Sequence, residues 1–262
     1  MTLEPIQYLL GAGSGSLVGF TLGLVGGGGS VLAVPLMVYL VGVPAPHMAI
    51  GTSALSVAVN AGANLVPHAR KKTVKWRCAA MFAAAGILGA YGGSTLGKAF
   101  DGQRLLFLFA LLMLGVGALM LRNRSDPGNP DVECHRENAP KVLAFGLGTG
   151  FFSGFFGIGG GFLIVPALMA ATAMPMRNAV GSSLVAVTAF GLTAAINYAA
   201  SGLVDWALAA VFIGGGIVGG VAGAASSHRL SAHRGLLNTI FALLIFAVAG
   251  YMLWRSGASL WG

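Results

Sequence analysis

The chain has 262 residues, 56% of them hydrophobic and 8% charged, with a mean hydropathy of +0.83. A soluble domain of this size carries about 25% charged residues, so a water-facing globular surface is excluded and the composition is that of a membrane protein. The formal charge of +8 does not make it a nucleic-acid binder, because basic loops in a membrane chain report orientation first.

Only helical bundles and closed barrels satisfy their backbone in lipid. The apolar runs here are long and continuous rather than alternating with period two, so the fold class expected is an all-α polytopic membrane protein. The opening residues, "MTLEPIQYLL", lack a basic region, so the first run reads as a span and not as a cleaved signal. In chain order the predicted segments are 6–25, 29–43, 48–67, 77–97 and 104–121, then 142–156, 160–174, 179–200, 207–226 and 235–254, which amounts to about 8–10 membrane segments by the length a span needs. One long polar stretch, Leu121 to Lys141, separates the two groups of five. The organisation expected is a first repeat over 1–121, a polar connecting loop over 122–140 and a second repeat over 141–262.

The two groups repeat one another. "GGGGSVLAVP" (Gly26–Pro35) aligns with "GIGGGFLIVP" (Gly157–Pro166), and Gly15, Gly19 and Gly23 precede it as Gly146, Gly150 and Gly154 precede its counterpart. Further on, Pro44 matches Pro175, "GTS" (Gly51–Ser53) matches "GSS" (Gly181–Ser183), "VKW" matches "VDW" (Val204–Trp206), and Arg104 matches Arg234. Ordered matches over most of both halves indicate duplication. If the first two segments of each half form a hairpin that returns to its starting side, the halves are inverted. Of the fifteen Lys and Arg, all but Lys98, Arg104 and Arg255 then fall on one side. A single crossing by those two segments gives parallel halves and a less lopsided distribution. The positive-inside rule therefore favours inverted repeats, with both termini outside and the connecting loop in the cytoplasm.

The second segment of each half is short and follows a glycine run. An interrupted helix frees backbone groups that lipid cannot satisfy, so they must face protein or a wet cavity. A half-helix N-terminus offers unpaired N–H groups and a partial positive charge, which suits an anion. Matched, glycine- or proline-interrupted segments in two halves point to a transporter site. Gly28, Gly29 and Ser30 would start one short helix, and Gly159, Gly160 and Gly161 the other. Thr52, Ser53, Ser182 and Ser183 begin the third segments nearby and can donate hydroxyl hydrogen bonds. A cation carrier usually carries an intramembrane carboxylate; these spans hold almost none. A purely structural turn, and hydroxyls bonded back to their own helix, are the competing readings. The series Gly11, Gly15, Gly19 and Gly23 reads as close helix packing.

Asn60, Asn64, His68 and Asn197 lie within or at the ends of spans and are expected to line a pathway or form a gate, or to bond helix to helix. Cys78 and Cys134 read as two unrelated thiols, with no metal site or disulfide framework. No metal or other cofactor is expected.

These paired glycine–valine–proline segments, each followed by "GTS" or "GSS" and a "V-x-W" element, resemble the sulfite exporter TauE/SafE family of bacterial permeases. The resemblance covers nearly the whole chain. Its motif falls on Gly26, Gly28, Gly29, Pro35, Gly51, Thr52 and Ser53, and on Gly157, Gly159, Gly160, Gly161, Pro166, Gly181, Ser182 and Ser183. The first half departs at Ser30, where the second has Gly161, and at Lys75, where the second has Asp205. The resemblance implies a multi-pass carrier of the bacterial inner membrane exporting sulfite, organosulfonates or related sulfur oxyanions. The residues alone indicate only a small anion. Lacking a Walker sequence, the carrier would draw on an ion gradient. The expected partners are the anion, the lipid bilayer and, as an open option, a second copy of the chain. The alternatives are a non-transporting membrane partner, assembly factor or sensor, and, less favoured, an intramembrane hydrolase.

Overall fold

The computed structural model describes residues 4–122, 134, 138–230 and 234–261. The described residues are helical throughout: α1 Pro5–Val25, a 3-10 helix Gly26–Leu32, α2 Ala33–Pro35, a π-helix Leu36–Leu40, α3 Pro46–Arg70, α4 Trp76–Ala99, α5 Gly102–Arg122, α6 Ala139–Phe156, α7 Gly161–Thr172, α8 Met176–Ala199, α9 Trp206–Leu230 and α10 Arg234–Trp261. Four of them, α3, α4, α8 and α9, are long and apolar enough among the described residues to cross a membrane. Every predicted segment coincides with a helix to within a few residues, except that helix α10 runs beyond its predicted end.

Glycine sets how the helices pair. α1 lies along α9, where Gly15, Gly19 and Gly23 meet Phe212, Gly216 and Gly220 in that order. The two helices therefore run parallel, and a Cβ on Gly19 would fall on the Gly216 carbonyl. α4 lies along α6 in the same manner: Gly89, Gly93 and Gly97 meet the carbonyls of Leu147, Phe151 and Phe155. Absence of side chains lets the backbones approach to where dispersion and weak Cα–H···O contacts act. The four-residue glycine series of α1 is thus a packing stripe, as its spacing suggests. α3 packs on α8, and α5 on α10.

The first two segments form a hairpin. Gln7 near the start of α1 donates from Nε2 to the Val41 carbonyl at 2.9 Å, so the chain has returned to its starting end by residue 41. That end also gathers His47 beside Gly97, Gly102 beside Pro46, and Lys98 beside Asn197 and Ser201. It is called the proximal end here. The opposite, distal end gathers the 71–75 turn with the start of α8, where Asn178 Nδ2 donates to the Thr73 carbonyl at 3.2 Å.

Two expectations are corrected. Cys78 and Cys134 are not independent thiols: they form a disulfide, with Cα atoms 5.4 Å apart, that ties the connector to the first turn of α4. Their separation of 56 residues resembles no known framework, so sequence alone could not pair them. The first glycine run does not start a regular α-helix at Gly28, Gly29 and Ser30; the chain winds through 3-10, α and π turns to Leu40. Pro35 lacks an N–H and so breaks the i→i−4 ladder, and the ladder resumes one residue out of step, with Val41 N–H donating to Leu36. α6 begins at Ala139; of the expected connecting loop, 123–133 and 135–137 lie outside the described residues, as do the surroundings of Gly28.

Candidate functional site

The second glycine break is a sharp turn made by left-handed backbone. Gly157, Gly159 and Gly160 have φ of 64°, 64° and 65°, a region glycine reaches without steric cost. Gly160 is the residue before α7, and its carbonyl takes the first helical bonds from Leu163 and Ile164, at 2.9 and 3.0 Å. Helix geometry leaves the N–H groups of Gly161 and Phe162 ahead of that first bond. Within α7, Pro166 removes the donor that the Phe162 carbonyl would otherwise receive.

The turn lies deep in the bundle. A Cβ on Gly159 would meet Val57 at 2.9 Å and Val187 at 3.2 Å, and these residues stand midway along α3 and α8. α7 also packs against the 3-10 helix of the first half, which in turn packs on α8. The two glycine-broken segments therefore meet between the middles of α3 and α8, as expected for paired half-helices.

Ser153 on α6 faces this turn, with its Cβ and Oγ at 2.6 and 2.8 Å from where a Gly160 Cβ would stand. Its hydroxyl is fully buried and has no hydrogen-bond partner. The sequence reading missed it because a single serine in a phenylalanine-rich run carries no motif; only its repeat partner, Leu22, marks it as unusual. At the first break, Gly29 packs on Thr21 and Leu22 and lacks a positive φ.

The hydroxyls of the "GTS" and "GSS" motifs are buried, but they reach the opposite half's loops. Thr52 Oγ1 accepts from the Asp205 N–H at 2.9 Å, and Ser182 Oγ accepts from the Lys75 N–H at 2.9 Å. Gly51 and Gly181 admit the backbones of Leu203 and Thr73. Each motif thus holds the "V-x-W" element of the other half where α9 or α4 begins. Ser53 Oγ donates to Ile50 and, at 3.3 Å, to the Gly157 carbonyl of the glycine turn. Ser183 Oγ donates to Val180 within its own helix. Ser30 is fully buried.

The four pathway residues separate. Asn60 is fully buried with neither amide atom partnered, and it packs against Gly216 in the middle of α9. It shares a face of α3 with Val57. Asn64 donates back to Asn60 O at 2.9 Å and fills the space left by Gly220. His68 lies at the distal end with Nδ1 at 3.0 Å from Thr73 Oγ1. Asn197 lies at the proximal end, where its Oδ1 accepts from Lys98 Nζ at 2.8 Å and its Nδ2 donates to Ser94 and Thr95 at 2.7 and 2.9 Å. His68 and Asn197 therefore sit at opposite ends, away from the glycine turn. No cluster of three metal-ligating side chains occurs among the described residues.

A helical membrane bundle with matched glycine-broken segments meeting at its centre defines the class: this is a membrane transporter. The chain belongs to the sulfite exporter TauE/SafE family, whose family model matches residues 11–252. A probable membrane transporter protein of Xylella fastidiosa is 55% identical over 263 residues, covering 99% of both chains. The probable membrane transporter protein YunE of Bacillus subtilis is 27% identical, over 82% of this chain and 87% of its own. YdhB of the same organism, with the same description, is 25% identical over 90% of this chain and 96% of its own. No solved structure matches the chain.

Proposed function

We propose that this protein is a multi-pass secondary carrier of the bacterial inner membrane that exports a small sulfur oxyanion, sulfite or an organosulfonate. One observation carries the anion reading: the turn before α7, buried at the middle of the bundle, pairs helix-start N–H groups with the unpartnered Ser153 hydroxyl. An oxyanion only accepts hydrogen bonds, and this turn offers donors without a fixed cation. A helix start carries about half a charge, and each neutral hydrogen bond contributes roughly 0.5–1.5 kcal/mol net. A few such contacts hold an anion firmly enough to select it and loosely enough to release it. The family resemblance narrows the anion to sulfur chemistry.

The carrier works by rocking two inverted halves about this site. Chain direction supports the inversion. α1 and α9 run parallel, as do α4 and α6, so each half's first helix runs parallel to the other half's fourth. The first-half hairpin returns to the proximal end through Gln7 and Val41, so α3, α4 and α5 leave the chain at the distal end, where α6 starts. The second half thus begins where the first did not. Arg70, Lys71, Lys72, Lys75 and Arg77 at the distal end orient it toward the cytoplasm.

Uptake of labelled sulfite into everted vesicles tests the reading. Vesicles with the protein should accumulate sulfite faster than vesicles without it, and the rate should collapse with the ion gradient. Equal rates for sulfite, sulfoacetate and other small oxyanions with and without the protein would refute transport of this class.

A further inference from the structure

The two glycine breaks already depart in sequence, at Ser30 against Gly161, and their surroundings differ in chemistry as well. At the second break three glycines in left-handed backbone lift α7 into a separate helix with its own start. At the first, Gly29 has no positive φ, and the chain keeps winding from Gly26 to Leu40 in 3-10, α and π turns. The residue that faces the break also differs. Gly160 faces Ser153, whose buried hydroxyl is unpartnered, whereas Gly29 faces the Leu22 backbone and the Thr21 hydroxyl, which already donates to the Leu17 and Val18 carbonyls.

We infer that the second break alone binds the anion, with Ser153 as a ligand-contacting residue beside the start of α7, and that the first break, whose facing Thr21 hydroxyl is already bonded within α1, is a support that packs against it. This rests on the anion-carrier reading above. An orphaned buried hydroxyl is a standing cost, and it is relieved when an oxyanion occupies the turn. At the first break the Thr21 hydroxyl already donates to its own helix, so an oxyanion there would gain a donor only by breaking that bond. In this reading Ser153 donates its hydroxyl hydrogen to one oxygen, and the N–H groups of Gly161 and Phe162, which precede the first helical bond, supply the others.

The test is sulfite binding to the purified protein in lipid nanodiscs, followed by calorimetry, with chloride and phosphate as comparison anions. Ser153→Ala should weaken sulfite about fivefold, Ser153→Thr should bind within twofold of the parent, and Ser30→Ala, on the first break, should also stay within twofold. If the alanine variant does not elute as a folded species, Ser153→Cys replaces it, keeping the size with a weaker donor, and should weaken binding in the same direction. Weakening by Ser30→Ala with none by Ser153→Ala or Ser153→Cys would overturn the assignment while leaving anion binding intact. Absence of sulfite binding by the unmodified protein would overturn both it and the carrier reading.

Discussion

Thr52 Oγ1 accepts a hydrogen bond from the Asp205 N–H at 2.9 Å, across 153 residues of sequence and from one half of the molecule to the other. Its repeat counterpart, Ser182, does the same for Lys75. The second-half contact is extended by Asp205, whose Oδ1 accepts from the Leu208 N–H at 3.0 Å and caps α9; Lys75 cannot do this for α4. The difference between Lys75 and Asp205 therefore concerns helix capping rather than the ligand.

Thr52→Ala should lower thermal stability in detergent by about 1–2 kcal/mol, through an unpaired Asp205 N–H, and Thr52→Ser should restore it. Sulfite affinity of the folded fraction should stay within twofold. A loss of affinity without loss of stability would return Thr52 to the ligand.

Asn60 holds an unpartnered amide against Gly216 at the middle of the bundle. Asn60→Leu, similar in volume, should raise stability by about 1–3 kcal/mol, because it removes two buried polar groups without partners. Transport should fall at the same time, since stability traded against function is the usual reason such groups persist. Melting curves and vesicle uptake on one preparation decide; unchanged transport would make Asn60 a packing residue.

Gly42 ends the first hairpin at the proximal end with φ of 79°, and Ala173 ends the second at the distal end with φ of 57°. In a background with Cys78 and Cys134 replaced, Gly42→Cys and Ala173→Cys should react with an impermeant maleimide from opposite sides of the membrane. Labelling of both from one side would refute inverted halves.

The disulfide and the basic residues around it point in opposite directions. Lys75 and Arg77 lie just before Cys78, and in the orientation proposed above that end faces the cytoplasm, where structural disulfides are rare. With the charge rule dominant, alkylation of intact unstressed cells should find both thiols reduced, and brief oxidant treatment should close the Cys78–Cys134 bond. The closed form should resist unfolding by about 2–4 kcal/mol more than the reduced form. A closed bond in unstressed cells would put the basic end on the oxidising side and reverse the orientation.

The helices were legible because lipid leaves the chain little choice. Each apolar run had to satisfy its own backbone, and segment ends fell at polar or glycine residues. The two glycine-broken segments, found by their matched sequences, pack on one another. What was not legible depends on contacts distant in sequence. Thr52 and Ser182 carry hydroxyls near the breaks in sequence, yet each reaches a loop of the other half. Ser153 belongs to no motif, and its importance comes only from the buried glycine it faces. The pairing of Cys78 with Cys134 needed the path of the connector, which no periodicity describes.

The crossed hydrogen bonds also bear on synthesis. While the first half is leaving the ribosome, the pocket beside Gly51 that will take the Leu203 backbone is empty, and Thr52 has no Asp205 to receive. α1 likewise waits for α9, and α4 for α6, with their glycine stripes open to lipid. The nascent chain must therefore remain a loose set of inserted helices until α9 has followed residue 205 out, and only then close, so that neither half matures alone.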